Sequence, residues 1–267
     1  MSKVEKTASF FCGLLLLAYL ISSFFPQQRL WGINHLAYFS PLFRAAIILF
    51  VLLLVFPPVS SKVVCVLSGL CHFFADRPKS RFLKYTFFGL IGILVFWIFR
   101  TPTHFLGDGY LRARDLIGGV KYLPAEPLDY YLHVLTQKFL SPLWDGDPIK
   151  TYAVLSSVAG GIFVFFALLS AAHLGKTSPG KCMVFIALAA LGGNQLFFGY
   201  VESYSLMYTA VLIYLFSSFY FLEGRISLIW PTLSLGLALS LHLSVFYLLP
   251  SFSHLGLHMP HQSGNDL

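Results

Sequence analysis

Between residues 100 and 150 the chain gathers Asp108, Asp115, Glu126, Asp129, Asp145 and Asp147 with Arg100, Arg112, Arg114, Lys121, Lys138 and Lys150, a density of charge found nowhere else in it. Such balance suits a folded, partly buried segment better than a solvated spacer. Asp108, set between Gly107 and Gly109, offers a carboxylate able to act as general base or to hold a divalent cation; it equally suits the N-cap of a following helix. Arg112 and Arg114 carry guanidinium forks that grip phosphate bidentately. Arg112 also stands at the spacing of an ordinary surface pair with Asp108 (i, i+4) or Asp115 (i, i+3). Asp129 and His133, four apart, make either an acid-oriented imidazole or a structural pair.

Two further groups lie far along the chain. Glu202, in Phe198-Gly199-Tyr200-Val201-Glu202-Ser203-Tyr204, brings a second acid to the compartment that holds Asp108, or offsets the dipole of the helix it opens. His242 falls inside a long apolar stretch, where an ionisable side chain is a functional candidate by default; the other reading is a neutral imidazole bonded to Ser240, Ser244 or a neighbouring helix. His254, His258 and His261 have helix-face spacing, but Gly256 and Pro260 interrupt them, which favours a mobile tail over a metal site.

The elements that must position these groups are apolar helices. Of 267 residues, 57% are hydrophobic and 11% charged, which excludes water as the main solvent. Stretches at 8–25, 42–59, 82–99, 151–174, 182–198, 203–222 and 226–250 each approach the roughly 20 residues that cross a bilayer. The fold class expected is therefore all-α: a polytopic bundle of about seven transmembrane helices, a single domain with one large, partly helical outer loop at 100–150 and a polar tail at 251–267. Residues 63–75 are too short to span and read as an interfacial or re-entrant helix. Within the loop, short helices are expected at 111–117 and 128–140, after Gly107-Asp108-Gly109 and Glu126-Pro127.

The formal charge of +7 comes from basic residues between apolar runs, not from a continuous stripe, and this excludes nucleic acid as a partner. Lys3, Lys6, Lys62, Arg77, Lys79, Arg81, Lys84, Lys176, Lys181 and Arg225 fall on one side if the spans alternate, placing the N-terminus in the cytoplasm and the large loop outside a cell membrane. The N-terminal stretch lacks an A-x-A-type cleavage site and reads as an uncleaved first helix. Cys12, Cys65, Cys71 and Cys182 show no metal or disulfide spacing and read as small hydrophobes. Small residues four apart, Ser156 and Gly160, Ala189 and Gly193, Gly236 and Ser240, predict close helix approach.

Taken in order, Phe105-Leu106-Gly107-Asp108-Gly109-Tyr110 after a span, Glu126-Pro127-Leu128-Asp129-Tyr130-Tyr131 in the same loop, the Glu202 phrase and Gly236-Leu237-Ala238-Leu239-Ser240-Leu241-His242 resemble the GT-C membrane glycosyltransferases, the family of protein O-mannosyltransferases and aminoarabinose transferases. The resemblance covers about residues 82–250, the front part of such an enzyme. It implies sugar transfer from a polyprenyl-phosphate donor to an acceptor outside the membrane, with Asp108 deprotonating the acceptor or positioning a divalent cation and Glu202 as the second acid. It also implies Arg112 and Arg114 facing the departing lipid phosphate, with Glu126, Asp129, His133 and His242 in the substrate site. Many family members carry two adjacent acids where this chain has Asp108-Gly109. A transporter or flippase, or a noncatalytic scaffold subunit, is the competing expectation; His242 is nearly the only ionisable group deep inside a span, which argues against ion coupling.

Overall fold

A computed structural model of the chain describes residues 3–28, 33, 35–56, 58–59, 61–63, 78–101 and 107–257. Every regular element among the described residues is helical. The interfacial helix expected at 63–75, with Cys65 and Cys71, lies almost wholly outside the described residues, as do His258 and His261. The chain divides into two compact units, residues 1–73 and 74–267.

In the first unit, α1 (Lys3–Ser22) packs against α2 (Pro41–Val55) and a 3-10 turn, His35–Tyr38. Ser40 accepts from the Phe43 amide and Pro41 occupies the first helical turn, where its missing N–H costs nothing. Arg44 reaches back to the Ala37 carbonyl at 3.0 Å, closing that turn.

The second unit is organised around α6 (Pro148–Leu174), which packs against α3 (Pro78–Ile98), α7 (Ser178–Ala189), α8 (Tyr204–Leu222) and the shorter α4 (Gly109–Ile117) and α5 (Pro127–Leu140). Its start is strongly coded: the Asp147 side chain accepts from the Ile149 amide at 2.9 Å and Pro148 follows. Small side chains then run through its buried residues. A Cβ on Gly161 would lie 2.6 Å from the Gly89 carbonyl oxygen, and one on Gly89 would lie 2.9 Å from that of Gly161, so α3 and α6 meet backbone to backbone. In lipid, where apolar side chains gain nothing by association, such contact carries the packing.

Among the described residues three helices are long and apolar enough to cross a membrane: Ser80–Ile98, Pro148–Leu174 and Tyr204–Leu222. The other expected spans are shorter in the structure: the apolar part of α1 is Phe10–Ser22, and α2, α7 and α9 (Ile229–Leu241) have 15, 12 and 13 residues. At 1.5 Å per residue a 13-residue helix covers only about 20 Å.

Two expected continuous spans are interrupted. The stretch 182–198 breaks after α7 because Asn194 turns its amide onto the Leu188 and Ala189 carbonyls, at 2.9 and 2.8 Å, and Gly192–Phe197 continues as a 3-10 turn. The stretch 226–250 breaks at His242, followed by a 3-10 turn (Leu243–Leu248) and α10 (Leu249–Leu257).

The tail also departs from expectation. Leu255 is buried in the cluster of Ala210, Tyr214, Leu235 and Leu241, and the Ser251 and Tyr214 hydroxyls are 2.8 Å apart, so residues 251–257 pack instead of trailing free. Phe252 and Leu255, three apart on one helix face, account for this. Of the small-residue pairs, Gly160 receives the Phe96 ring and the Phe197 Cβ and Gly193 the Tyr208 ring, but nothing approaches Gly236, whose carbonyl instead takes the Ser240 hydroxyl.

Candidate functional site

The site lies at the end of the second unit where α6 and α8 begin. Gly107, at φ +79°, turns the chain into α4, and a Cβ there would fall 1.6 Å from Glu202 Oε1. Only glycine admits the carboxylate. Asp108 occupies the N-cap position of α4, yet its side chain makes no capping hydrogen bond and is exposed. Its backbone N–H donates instead to Glu202 Oε1 at 2.9 Å. The capping role open to Asp108 is thus not taken up.

Glu202 precedes α8 and does not cap it; Ser203 holds the N-cap position. Burial pushes the Glu202 carboxyl above its usual range. The nearby charges of Asp108 and Glu126 push the same way, against the Asp108 amide and Arg112. Two residues on, the Tyr204 ring lies 4.9 Å from the His242 ring.

His242 is not inside a helix. It ends α9 in an extended conformation, and its Nδ1 accepts from the Ser244 amide at 3.0 Å, which leaves the proton of a neutral ring on Nε2. The Leu243 amide leaves the helical ladder for the Ala125 carbonyl at 2.9 Å, setting the break beside Glu126.

Glu126 occupies the N-cap position of α5 without capping it; its Oε1 is paired with Arg112. Arg112 therefore takes neither of the partners expected within α4. Asp108 to Glu202, Tyr204 to His242, Leu243 to Ala125 and Glu126 to Arg112 form a closed circuit from α4 through α8, α9 and α5 back to α4. Arg114, two residues on from Arg112 and about 200° round the helix, is exposed and lies outside it.

One turn along α5 is a second, deeper group. His133 Nδ1 donates to the Asp129 carbonyl at 2.8 Å and lies 3.2 Å from its carboxylate, as their i, i+4 spacing anticipated. The His133 ring stacks on Tyr152 of α6, centroids 3.8 Å apart. Tyr130 and Tyr152 are almost fully buried, and their hydroxyls, with Glu126 Oε2 and Arg112 Nε, have no hydrogen-bond partner among the described residues. Each such atom costs about 1–3 kcal/mol, and such groups concentrate where polar chemistry is done. Burial, then the Asp115 charge, raises the pKa of Tyr130, against Arg112. Neither tyrosine hydroxyl carries a spacing signal along the chain, because its place is set by the packing of α5 on α6.

Among the described residues no three of His, Cys, Asp and Glu converge closely enough to hold a metal ion. Fold and site together define a helical chain bearing helices fit to cross a membrane, with a circuit of acids, one guanidinium and one imidazole at one end of its larger unit. No family model, curated protein or solved structure matches this chain.

Proposed function

We propose that the chain is a membrane glycosyltransferase of the GT-C kind, moving a sugar from a polyprenyl-phosphate donor to an acceptor on the extracytoplasmic face of the cell membrane. About seven apolar segments would embed it, with the N-terminus in the cytoplasm. The observation that carries this reading is the junction of Asp108 and Glu202, two acids from distant parts of the chain, at the end of helices long enough to span a membrane.

In this reading the exposed Asp108 carboxylate takes the acceptor's proton as its oxygen attacks the sugar's anomeric carbon. The bond from that carbon to the phosphate oxygen breaks, and the polyprenyl phosphate leaves as an anion. Glu202, with its pKa raised by burial, keeps its proton to higher pH than an ordinary carboxyl and can donate a hydrogen bond to donor or acceptor. Arg112 is held by Glu126, which suits it to fixing α4 against α5. Arg114, exposed and outside the circuit, would meet the departing phosphate only where the lipid extends past α4. His242 and the Asp129–His133 pair shape the floor of the substrate site.

The test is turnover of purified protein on a panel of polyprenyl-phosphate sugars, for the parent, Asp108→Asn and Glu202→Gln, each checked for folding in detergent. Sugar release that falls about a hundredfold or more in Asp108→Asn is expected. No turnover and no donor binding by the folded parent would overturn the reading in favour of a transporter, a flippase or a scaffold subunit.

A further inference from the structure

A cleft of about 350 Å³ opens beside the first turn of α6, lined by Ile98, Arg100, Thr101, Asp147, Ile149, Lys150, Ala153 and Gly199. None of these residues belongs to the circuit. Tyr152 faces His133, while its neighbour Ala153, about 100° round the helix, lines the cleft.

Its chemistry is cationic. Arg100 and Lys150 face it with one carboxylate, Asp147, and that carboxylate is already engaged by the Ile149 amide at 2.9 Å. Lys150 has no ion-pair partner among the described residues. Arg100 is held in place: its Nη1 donates to the Trp97 carbonyl at 2.9 Å and its guanidinium sits 4.5 Å over the Trp97 ring. Gly199, at φ +72°, lets the next loop close on Arg100, for a Cβ there would lie 2.7 Å from the Arg100 Cβ. The Thr101 amide donates to the Phe198 carbonyl at 2.8 Å and fastens the two walls together.

Its depth is set by the helices. The apolar span Ser80–Ile98 ends at the cleft and the span Pro148–Leu174 begins there, so the cleft sits at the boundary between hydrocarbon and water. Trp97 is a residue type that concentrates at that level. Ile98, which lines it, and Phe99, the next residue, are largely exposed, as suits side chains that face lipid.

We infer that this cleft binds a phosphate group, presented at the membrane surface by an anionic lipid headgroup. Arg100 supplies a planar, pre-held fork and Lys150 a second positive charge. The inference goes beyond the proposed transfer reaction: it uses none of its acids and holds whether or not sugar is moved.

The test is native mass spectrometry of the full chain released from nanodiscs of phosphatidylglycerol or of phosphatidylcholine, with a parallel titration of inorganic phosphate followed by thermal shift. Retained phosphatidylglycerol is expected in the parent. Occupancy should fall about tenfold or more in the Arg100→Gln/Lys150→Gln double variant and persist in Arg100→Lys/Lys150→Arg, which keeps both charges. Equal retention by parent and neutral double variant would overturn the inference, as would equal retention of the two lipids. Inorganic phosphate that stabilises the parent, but not the neutral variant, in the absence of retained lipid would support the phosphate site and overturn its assignment to a lipid.

Discussion

The Asp108 amide donates to the Glu202 carboxylate at 2.9 Å across 94 residues of sequence, and Gly107 leaves the space in which that carboxylate sits. One hydrogen bond thus ties the entry of α4 to the loop that opens α8.

Gly107→Ala should break this junction. Its methyl group would overlap the carboxylate, and its backbone would be strained at φ +79°. A loss of about 2–3 kcal/mol is expected from urea or thermal unfolding in detergent, against under about 1 kcal/mol for Glu202→Gln, whose amide oxygen can still accept from Asp108. Equal, small effects would show that the contact is not formed.

The raised pKa of Glu202 has a stability consequence with a definite sign. Between the ordinary carboxyl value, 4.5, and its higher value in the fold, the native chain holds more of this proton than the unfolded chain does. Its contribution to stability therefore falls as pH rises through that window and is flat beyond it. Thermal unfolding from pH 4 to 8 should show the parent losing stability relative to Glu202→Gln over that interval. Parallel curves for the two proteins would contradict the assignment.

Arg112 and Glu126 should be strongly coupled. The Glu126 side chain is 3% exposed and that of Arg112 17%, so removing either partner strands the other in a poorly solvated place. Each of Arg112→Gln and Glu126→Gln should cost about 3 kcal/mol, and the double variant clearly less than their sum. An additive cycle would show that the pair is not made.

The α3–α6 seam and the exposed face of α9 offer a contrast. Gly161→Val pushes side-chain atoms into Gly89 and Ile93 and should destabilise by about 3 kcal/mol or prevent folding. Gly236→Ala meets nothing within 4 Å and should be neutral or stabilising by up to about 1 kcal/mol. Comparing the two melting temperatures separates a glycine needed for helix approach from one that is not.

Patterns that are local in the chain were legible in the sequence. Apolar runs and their lengths marked out helices suited to a membrane, although among the described residues three keep the length to cross one unbroken. Glu126-Pro127 marked a helix start, and Pro127 stands in the first turn of α5; the span expected from residue 151 begins three residues earlier, at Pro148. The four-residue spacing of Asp129 and His133 predicted a pair that the structure contains.

Choices among competing partners were settled only in three dimensions. Arg112 had two acids within reach on its own helix, yet pairs with Glu126, because the approach of α4 to α5 offers a buried carboxylate where interactions are less screened than at the surface. The apolar stretch at 226–250 carries no proline or glycine signal for a break at His242; the break exists because the His242 ring captures the Ser244 amide and the Ala125 carbonyl captures that of Leu243. Hydropathy and spacing act over a few residues and so could be read along the chain. The identity of each buried partner depends on which surfaces meet, and that was decided by the packing of α5 against α4 and α9.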